Sequence, residues 1–337
     1  MTELEKQLLQ RIQLDFPVVP QPFALLAQQL HATEADVLAA LADFKQTGII
    51  RRLGALFDAR RLGYVSTLVA AQASPAALGP FLADVQALPG VSHCYGRDHD
   101  LNAWFTLTMP NWDAVEQTLA GLWDKHEIET IYSLPARQLF KLRVYFPTSQ
   151  SGPTPAPPAQ TKQPKQPQHV DLDQVPTAKL TAEQIALVRF LQEDWPLVAQ
   201  PFAALADQAG LDEESVLDQT KRWLADGTIR RLAAMVRHHK LGYNANALLV
   251  LAVEPELIQA AGAHLATYQQ VSHCYQRTPA PGWPYNLYAM LHARQRSHVL
   301  PLVEQMKQKI EPEDALVLFT TKEYKKESVK YFQELPQ

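Results

Sequence analysis

Two copies of one short segment carry the residues best suited to chemistry. VSHCYGR begins at residue 91, and VSHCYQR begins at residue 271. Because side chains alternate between the faces of a strand, each copy places a histidine, a tyrosine and an arginine on one face and its serine and cysteine on the other. The chemical sets are His93, Tyr95, Arg97, His273, Tyr275 and Arg277. Imidazoles exchange protons near neutral pH and arginines bind carboxylates, so the pattern indicates acid–base chemistry on an anionic ligand.

Pairs of arginines form a second candidate group. Arg51 and Arg52 follow the third predicted helix of the first copy, and Arg230 and Arg231 follow that of the second, with His238 shortly after them. Each guanidinium offers a rigid two-donor fork, so such pairs suit a ligand with several carboxylates. The alternative, a solvated surface that forms ion pairs with acidic helices, is equally compatible with the pairs alone.

The chain is a tandem duplication. DFPVVPQPFALLA from Asp15 recurs as DWPLVAQPFAALA from Asp194, and GIIRRLGALFDARRLGY from Gly48 recurs as GTIRRLAAMVRHHKLGY from Gly227. Repeats of this kind predict two structural units in the same order. Between them, residues 147–179 are rich in proline and glutamine and almost without large apolar residues. We predict an extended, disordered tether there, because it has little to bury.

Each copy predicts the same elements. Three short helices run into a β-rich segment, which is typical of a winged helix-turn-helix, and a β-α-β-β-α-β pattern typical of a ferredoxin-like unit follows. The predicted fold is therefore α+β, with this pair of units in tandem. The predicted boundaries are 1–62, 63–146, 147–179 for the tether, 180–241 and 242–337. The last unit is predicted to end in a basic, aromatic helix that begins near Lys322.

Composition narrows the class of protein. The 337 residues include 31 Lys and Arg against 35 Asp and Glu, a net charge of −4, so the surface as a whole does not favour a polyanion. Two cysteines cannot form a disulfide framework or a zinc ribbon. No run of about 18 apolar residues is present. We expect a soluble cytoplasmic protein that does not insert into a membrane.

A winged helix followed by a ferredoxin-like unit resembles the Lrp/AsnC family of transcription regulators over both copies. That resemblance implies DNA binding, but the charges argue against it. Segment 33–47 holds three acidic residues and one lysine, and segment 211–226 holds five acidic and two basic residues. Such helices repel phosphates, so we expect no DNA binding. The resemblance also implies that the two ferredoxin-like units pair, here within one chain, and it leaves further homo-oligomerisation open.

A more specific resemblance rests on motifs in both copies: RRLG with a following LGY, VSHCYxR, HDLNAWFTL in the first half, and WPYNLYAMLH and TTKEYKKESVKYF in the second. Together they resemble the siroheme decarboxylases, in the form that fuses two related subunits. The resemblance implies a lyase that requires no cofactor and binds an iron tetrapyrrole as substrate. Loss of the C12 and C18 acetate carboxyls of siroheme would give 12,18-didecarboxysiroheme, for heme d1 or the alternative heme pathway.

The resemblance also implies roles for particular residues. The carboxylates that are retained would be held by Arg51, Arg52, Arg97, Arg230, Arg231, Arg277 and Lys322. Tyr95, Tyr275 and Trp283 would pack against the ring. His273 and His93 are the leading acid–base or substrate-orienting residues, followed by His99 and His238. Open alternatives are a histidine as axial ligand of the substrate iron, a transcription regulator, and a heme sensor without turnover.

Overall fold

The computed structural model describes residues 1–142, 170–237 and 245–333 of the chain. The first copy contains α1 (Glu3–Leu14), α2 (Pro22–Gln29), α3 (Glu34–Gln46), β1 (Ile50–Phe57), β2 (Val65–Gln72), α4 (Pro75–Ala87), β3 (Val91–Arg97), β4 (Ala103–Met109), α5 (Trp112–His126) and β5 (Thr130–Leu142). The second contains β6 (Val170–Asp171), α6 (Ala182–Leu191), α7 (Pro201–Ala209), α8 (Glu213–Asp226), β7 (Ile229–Val236), β8 (Ala245–Ala252), α9 (Ile258–Thr267), β9 (Val271–Arg277), β10 (Leu287–Ala293), α10 (Val299–Ile310) and β11 (Asp314–Lys326). The predicted α+β duplication is confirmed.

The two helix-turn-helix units form one layer with a shared core. Their helices surround a ribbon in which β1 pairs with β7 in antiparallel fashion, with Leu53 opposite Ala234. Phe16 of the first copy packs edge-on against Trp195 of the second, with 5.7 Å between the ring centroids. Burying side chains of this size contributes about 2–3 kcal/mol each. β1 and β7, the wing strands of the two copies, therefore pair with each other.

The two ferredoxin-like units close into one eight-stranded barrel. The strands follow the order β2-β4-β3-β11-β8-β10-β9-β5, and β5 pairs again with β2. Two long strands bridge the copies. Residues 130–135 of β5 pair with β2 and residues 136–142 with β9, while residues 314–319 of β11 pair with β8 and residues 320–326 with β3. The expected pairing of the two copies within one chain is confirmed.

Helices cover the outside of the barrel, and side chains fill much of its interior. α4 and α5 pack on one half around Phe81, and α9 and α10 pack on the other half around Met306. Large aromatic residues occupy the interior, among them Trp104, Trp283 and Tyr288. None of the helices in the described ranges has the length and apolar character needed to cross a bilayer.

Two predicted segments differ from the structure. The helix predicted from Lys322 is wrong, because these residues extend β11 along the edge that β3 offers for pairing. The last part of the predicted tether, 170–179, is not an extended spacer: β6 pairs with Leu139 of β5, and Leu172 is buried. Residues 147–169 of the predicted tether lie outside the described residues.

Candidate active site

The two sets of histidine, tyrosine and arginine face the interior of the barrel. In β3 the rings of His93 and Tyr95 are 6.2 Å apart, and the Cζ of Arg97 lies 5.4 Å from the centroid of the Tyr95 ring. The corresponding distances in β9 are 6.5 and 5.1 Å, for His273, Tyr275 and Arg277. The cysteine of each strand is buried in the core beneath the outer helices. The two copies therefore present matching chemical faces to one shared interior.

A β-bulge in each of these strands brings a serine next to the histidine. The register shifts at this point in β3 against β4 and in β9 against β10. A bulge re-aims the side chain of the extra residue. Ser92 Oγ consequently lies 2.9 Å from His93 Nδ1, and Ser272 Oγ lies 2.7 Å from His273 Nδ1. The prediction that both serines lie on the face opposite the histidines is wrong for this reason.

The second copy continues these contacts into a longer chain of hydrogen bonds. Ser272 Oγ lies 2.8 Å from Nε2 of His292, whose Nδ1 lies 2.7 Å from Oδ1 of Asn246. In the first copy the positions equivalent to His292 and Asn246 are Thr108 and Ser66, and Thr108 donates to Ser66 over 3.0 Å. An imidazole thus supports the serine in the second copy, whereas a threonine occupies that position in the first.

Positive charge surrounds both histidines. Burial lowers the pKa of His93 to about 3, and the charges of Lys326 and Arg51 act in the same direction. Burial likewise lowers the pKa of His273 to about 4, with further contributions from Lys326 and Arg230. Histidine ordinarily titrates near 6.5. Both imidazoles are therefore neutral at pH 7.

A cavity of about 240 Å³ lies where the β1–β7 ribbon meets the barrel, at the end of β11 that pairs with His93. Arg51 and Arg237 line it from the ribbon and its end, and Glu323 and Lys326 line it from β11. Arg51 also donates a hydrogen bond to the main-chain carbonyl of Lys326, which ties the ribbon to the barrel. The concentration of cationic side chains makes this end of the barrel suitable for carboxylates.

Arg97 and Arg277 each offer an unused donor inside the barrel. Arg97 donates to the carbonyl of Leu318 over 3.0 Å, and Arg277 donates to the carbonyl of Leu134 over 2.8 Å. Their Nε atoms are buried and have no hydrogen-bond partner among the residues that the structure describes. Burial of an unpaired polar group is costly, so these donors are suited to an acceptor supplied by a ligand.

The remaining arginines of the predicted group differ in their surroundings. Arg230 forms an ion pair with Asp58 over 2.8 Å and acts on the pKa of His273. Arg52 donates to the carbonyl of Ala55 and to the hydroxyl of Ser328. Arg231 donates to a main-chain carbonyl of α1. Arg52 and Arg231 therefore hold the ribbon to its neighbours. The charge of Arg231 also lowers the pKa of His273.

His99 and Trp283 lie at the opposite end of the barrel interior. His99 Nδ1 accepts a hydrogen bond from the Leu101 amide over 3.0 Å, and its ring is edge-on to Trp283 at 5.7 Å. Trp283 is buried and donates to the hydroxyl of Tyr288 over 2.8 Å. His93 lies near the start of β3, whereas His99 lies beyond its last residue, Arg97. The structure therefore does not bring these two predicted residues to the paired histidines.

Lys322 lies on the outside of the barrel. It lines a groove with Leu82 and Gln86 of α4, and its Nζ lies 5.0 Å from the centroid of the Tyr324 ring. It thus lies apart from the paired histidines. His238, the remaining predicted residue, falls outside the described residues.

Sequence reasoning missed three residues that the structure brings to this site: Lys326, Ser272 and His292. Lys326 lies in the predicted C-terminal helix, and its strand partner belongs to the other copy, so the local pattern does not show it. Ser272 reaches the site through a bulge. A usable signal exists for His292, because the first copy has Thr108 at that position. Divergence between duplicated strands marks where their chemistry differs.

Comparison with known proteins identifies the family. The family model for the AsnC-like ligand binding domain matches residues 61–141 and 240–325, and that for the siroheme decarboxylase NirDL-like HTH domain matches residues 5–51 and 184–230. The siroheme decarboxylase of Hydrogenobacter thermophilus is 32% identical over 329 residues, which cover 97% of this chain and 95% of that protein. The chain belongs to the siroheme decarboxylase family.

Other members of the siroheme decarboxylase family match each half or the whole chain. The alpha subunit from Desulfovibrio desulfuricans is 44% identical over 146 residues, 43% of this chain and 84% of the subunit. The beta subunit from that organism is 36% identical over 155 residues, 46% of this chain and 98% of the subunit. The crystal structure of the siroheme decarboxylase NirDL in co-complex with an iron-uroporphyrin III analogue covers 98% of this chain and 95% of its own, with 30% identity and a TM-score of 0.73. The chain therefore corresponds to the fused form of a two-subunit enzyme.

Proposed function

We propose that this chain removes the carboxyl groups of the C12 and C18 acetate side chains of siroheme and so forms 12,18-didecarboxysiroheme. The observation that carries the proposal is the pair of facing histidine–tyrosine–arginine sets inside a barrel that both copies close. The related NirDL structure, which holds an iron-uroporphyrin III analogue, supports it. The product would serve heme d1 synthesis or the alternative heme pathway.

The cationic side chains suit the carboxylates that siroheme retains. Arg51 and Lys326 lie where the ribbon meets the barrel, and Arg97 and Arg277 have buried Nε donors in its interior. Guanidinium groups bind carboxylates through charge-assisted hydrogen bonds, which are shorter and stronger than neutral ones. The tyrosine of each set offers an aromatic face to the macrocycle. The acetates would then lie near the histidines.

The chemical step needs one proton for each carbon dioxide that leaves. The bond between the acetate methylene carbon and the carboxyl carbon breaks, and its electron pair stays on the methylene carbon, where the adjoining tetrapyrrole delocalises it. An imidazolium then donates a proton to this carbon, which completes a methyl group. No electrons pass to an acceptor, so the proposal includes no additional cofactor. His273 and His93 are the proposed acid–base residues.

Substrate binding itself would prepare the histidines for this role. Burial and the neighbouring positive charges alone keep both imidazoles neutral. Each substrate carboxylate brings a negative charge that offsets Lys326 and the arginines, so binding raises the pKa of the histidines. The imidazolium formed in this way holds the proton that the methylene carbon takes up after carbon dioxide leaves. Proton uptake is thereby coupled to the presence of siroheme.

The test is anaerobic incubation of the purified protein with siroheme, followed by mass spectrometry of the extracted tetrapyrrole. We expect successive loss of two carbon dioxides, and nuclear magnetic resonance of the product would show methyl groups at C12 and C18. Tight binding with unchanged mass would replace the proposal with a heme sensor. Absence of both binding and mass change would contradict it and favour a regulator.

A further inference from the structure

We infer that Ser272 and His292 are positioning residues that make His273, and not His93, the histidine that delivers the proton in the decarboxylation. This inference rests on the proposed function and names the half of the duplicated site that performs the proton transfer. The observation behind it is the chain of hydrogen bonds from Asn246 through His292 and Ser272 to His273.

The Asn246 end of this chain of hydrogen bonds determines which group donates at each step. The amide oxygen of Asn246 only accepts, so Nδ1 of His292 carries a hydrogen and donates to it over 2.7 Å. Nε2 of neutral His292 then accepts from the hydroxyl of Ser272 over 2.8 Å. A second acceptor for that hydroxyl, the carbonyl of Met290, is more distant at 3.4 Å. With its hydrogen used in this way, Ser272 Oγ accepts from Nδ1 of His273 over 2.7 Å.

This order assigns the protons on His273. Nδ1 keeps its hydrogen in the bond to Ser272, so Nε2 is the nitrogen that gains and gives up the catalytic proton. When Nε2 is protonated, the resulting imidazolium donates through Nδ1 to a serine whose own hydroxyl is already directed at His292. A hydrogen bond that is oriented in advance stabilises the charged form and holds the ring in one orientation. Before each turnover a proton adds to Nε2, and it leaves to the methylene carbon.

The first copy does not contain this chain. Ser92 Oγ lies 2.9 Å from Nδ1 of His93, but Thr108 stands where the second copy has His292 and donates to Ser66. No imidazole directs the hydroxyl of Ser92 at that strand position. His93 also pairs directly with Lys326 in the strand register, whereas Leu142 holds the equivalent place beside His273. The surroundings of His273 thus favour its protonated form more than those of His93.

Several charged groups act on the titration of His273 besides the chain itself. Lys326 comes from β11, Arg230 and Arg231 come from β7, and Arg277 lies on β9. The imidazole of His93 on β3 is also coupled to it electrostatically. All of them disfavour the imidazolium, so the contacts of Ser272 oppose them, and removal of this support lowers the pKa of His273.

The experiment replaces His292 by the residue of the first copy, His292→Thr, and follows siroheme decarboxylation over pH. We expect kcat to fall about 10- to 100-fold with KM within twofold of the wild type. The alkaline limb of the kcat profile should move to lower pH, because the imidazolium loses its support. His292→Gln, whose amide oxygen can accept from Ser272, should recover part of kcat. Thr108→Ala at the matching position of the first copy should change kcat less than twofold.

A second variant tests the same hydrogen bonds with a smaller change, in case His292→Thr does not fold. Ser272→Ala removes a single oxygen atom, and it should reproduce the loss in kcat and the shift of the alkaline limb while siroheme binding, followed by the Soret band, is retained. An unchanged kcat and pH profile in Ser272→Ala would overturn the inference. Because wild-type turnover is measured alongside, a wild type that releases no carbon dioxide would refute the proposed function instead.

Discussion

The strands that flank the two histidines differ, although the histidines themselves repeat. Beside β3, the end of β11 contributes a carboxylate and an ammonium group, Glu323 and Lys326. Beside β9, the equivalent part of β5 contributes two apolar side chains, Leu139 and Leu142. The duplication has therefore kept the chemical face of each strand and changed its neighbours. One histidine lies next to a charged edge, and the other lies next to an apolar edge backed by an imidazole.

The different neighbours of the two histidines suit two different tasks, substrate holding and proton transfer, although both copies share the same motif. A charged edge holds anionic groups, whereas an apolar edge strengthens electrostatic interactions by excluding water. Burial and the adjacent Glu323 raise the pKa of Tyr95, which keeps its hydroxyl protonated beside the charged edge. We therefore expect the first copy to contribute mainly to substrate holding and the second mainly to proton transfer.

Replacing each histidine in turn gives the largest expected contrast. His273→Gln should lower kcat for carbon dioxide release about 10²- to 10³-fold, because a general acid is removed. His93→Gln should lower it about tenfold, mostly through poorer placement of the substrate. Mass spectrometry of the tetrapyrrole after anaerobic turnover measures both. If each variant instead left a different single acetate in place, the two histidines would have equal roles and the contrast would be wrong.

The lowered pKa values predict that acid destabilises the fold at both histidines. Unfolded histidine binds a proton near pH 6.5, whereas folded His93 and His273 bind one only at about pH 3 and 4. The stability due to the neutral imidazoles is complete above pH 6.5 and is lost as the pH falls toward 4. Urea unfolding at pH 7 and pH 5 should reveal a decrease of about 1–2 kcal/mol per histidine.

In the double variant His93→Gln/His273→Gln, the free energy of unfolding should fall less between pH 7 and pH 5, because the contribution of the two histidines is absent. His298→Gln, which changes an exposed histidine before α10, serves as its control. If the wild type and the double variant lost equal stability between these two pH values, other groups would be responsible.

Lys326→Met should weaken the charged edge. We expect KM for siroheme to rise about 5- to 10-fold, because a charge-assisted contact to a carboxylate is lost. Removal of a positive charge should also raise the pKa of both histidines, visible as a shift of the pH–rate profile to higher pH. Lys307→Met, at an exposed ion pair with Glu304 on α10, provides a matched loss of charge. A KM equal to that of the wild type would show that Lys326 does not hold substrate.

The smallest effect is expected at the far end of the barrel. His99→Gln should leave kcat within twofold, because His99 packs on Trp283 and accepts from the Leu101 amide. Loss of that hydrogen bond should lower the free energy of unfolding by about 1 kcal/mol, as thermal unfolding would measure. A tenfold loss of kcat without loss of stability would return His99 to the catalytic residues.

Local patterns in the sequence were sufficient for most elements of the fold. The capping boxes at Thr2 and Thr181 begin α1 and α6, and their Thr-x-x-Glu and Thr-x-x-Gln patterns are local features of the sequence. The prediction of a C-terminal helix was wrong because residues 320–326 pair as a strand with β3, which belongs to the other copy. The pairing of β1 with β7 could not be predicted for the same reason. A contact between the two copies joins residues far apart in the sequence, so it produces no local pattern of hydrophobic residues.

The site was predicted in part. The alternation of side chains in β3 and β9 groups each histidine with its tyrosine and arginine as the structure does. It misplaces Ser272, because a one-residue bulge breaks the alternation. Trp283 packs with Trp104 and Tyr288 in the barrel interior, and residue type alone does not distinguish a ring that contacts a ligand from one that fills the barrel. Prediction of these positions requires the register, which depends on tertiary pairing.

The bridging of the copies by β5 and β11 also affects how the chain is made. β11 leaves the ribosome more than 200 residues after β3, yet it completes the edge of β3. Until then the nascent first half exposes an open strand edge, which invites mispairing with other chains. Fusion supplies the missing strand from the same polypeptide and therefore at a high effective concentration. It also guarantees that the two halves of the site are synthesised in equal number.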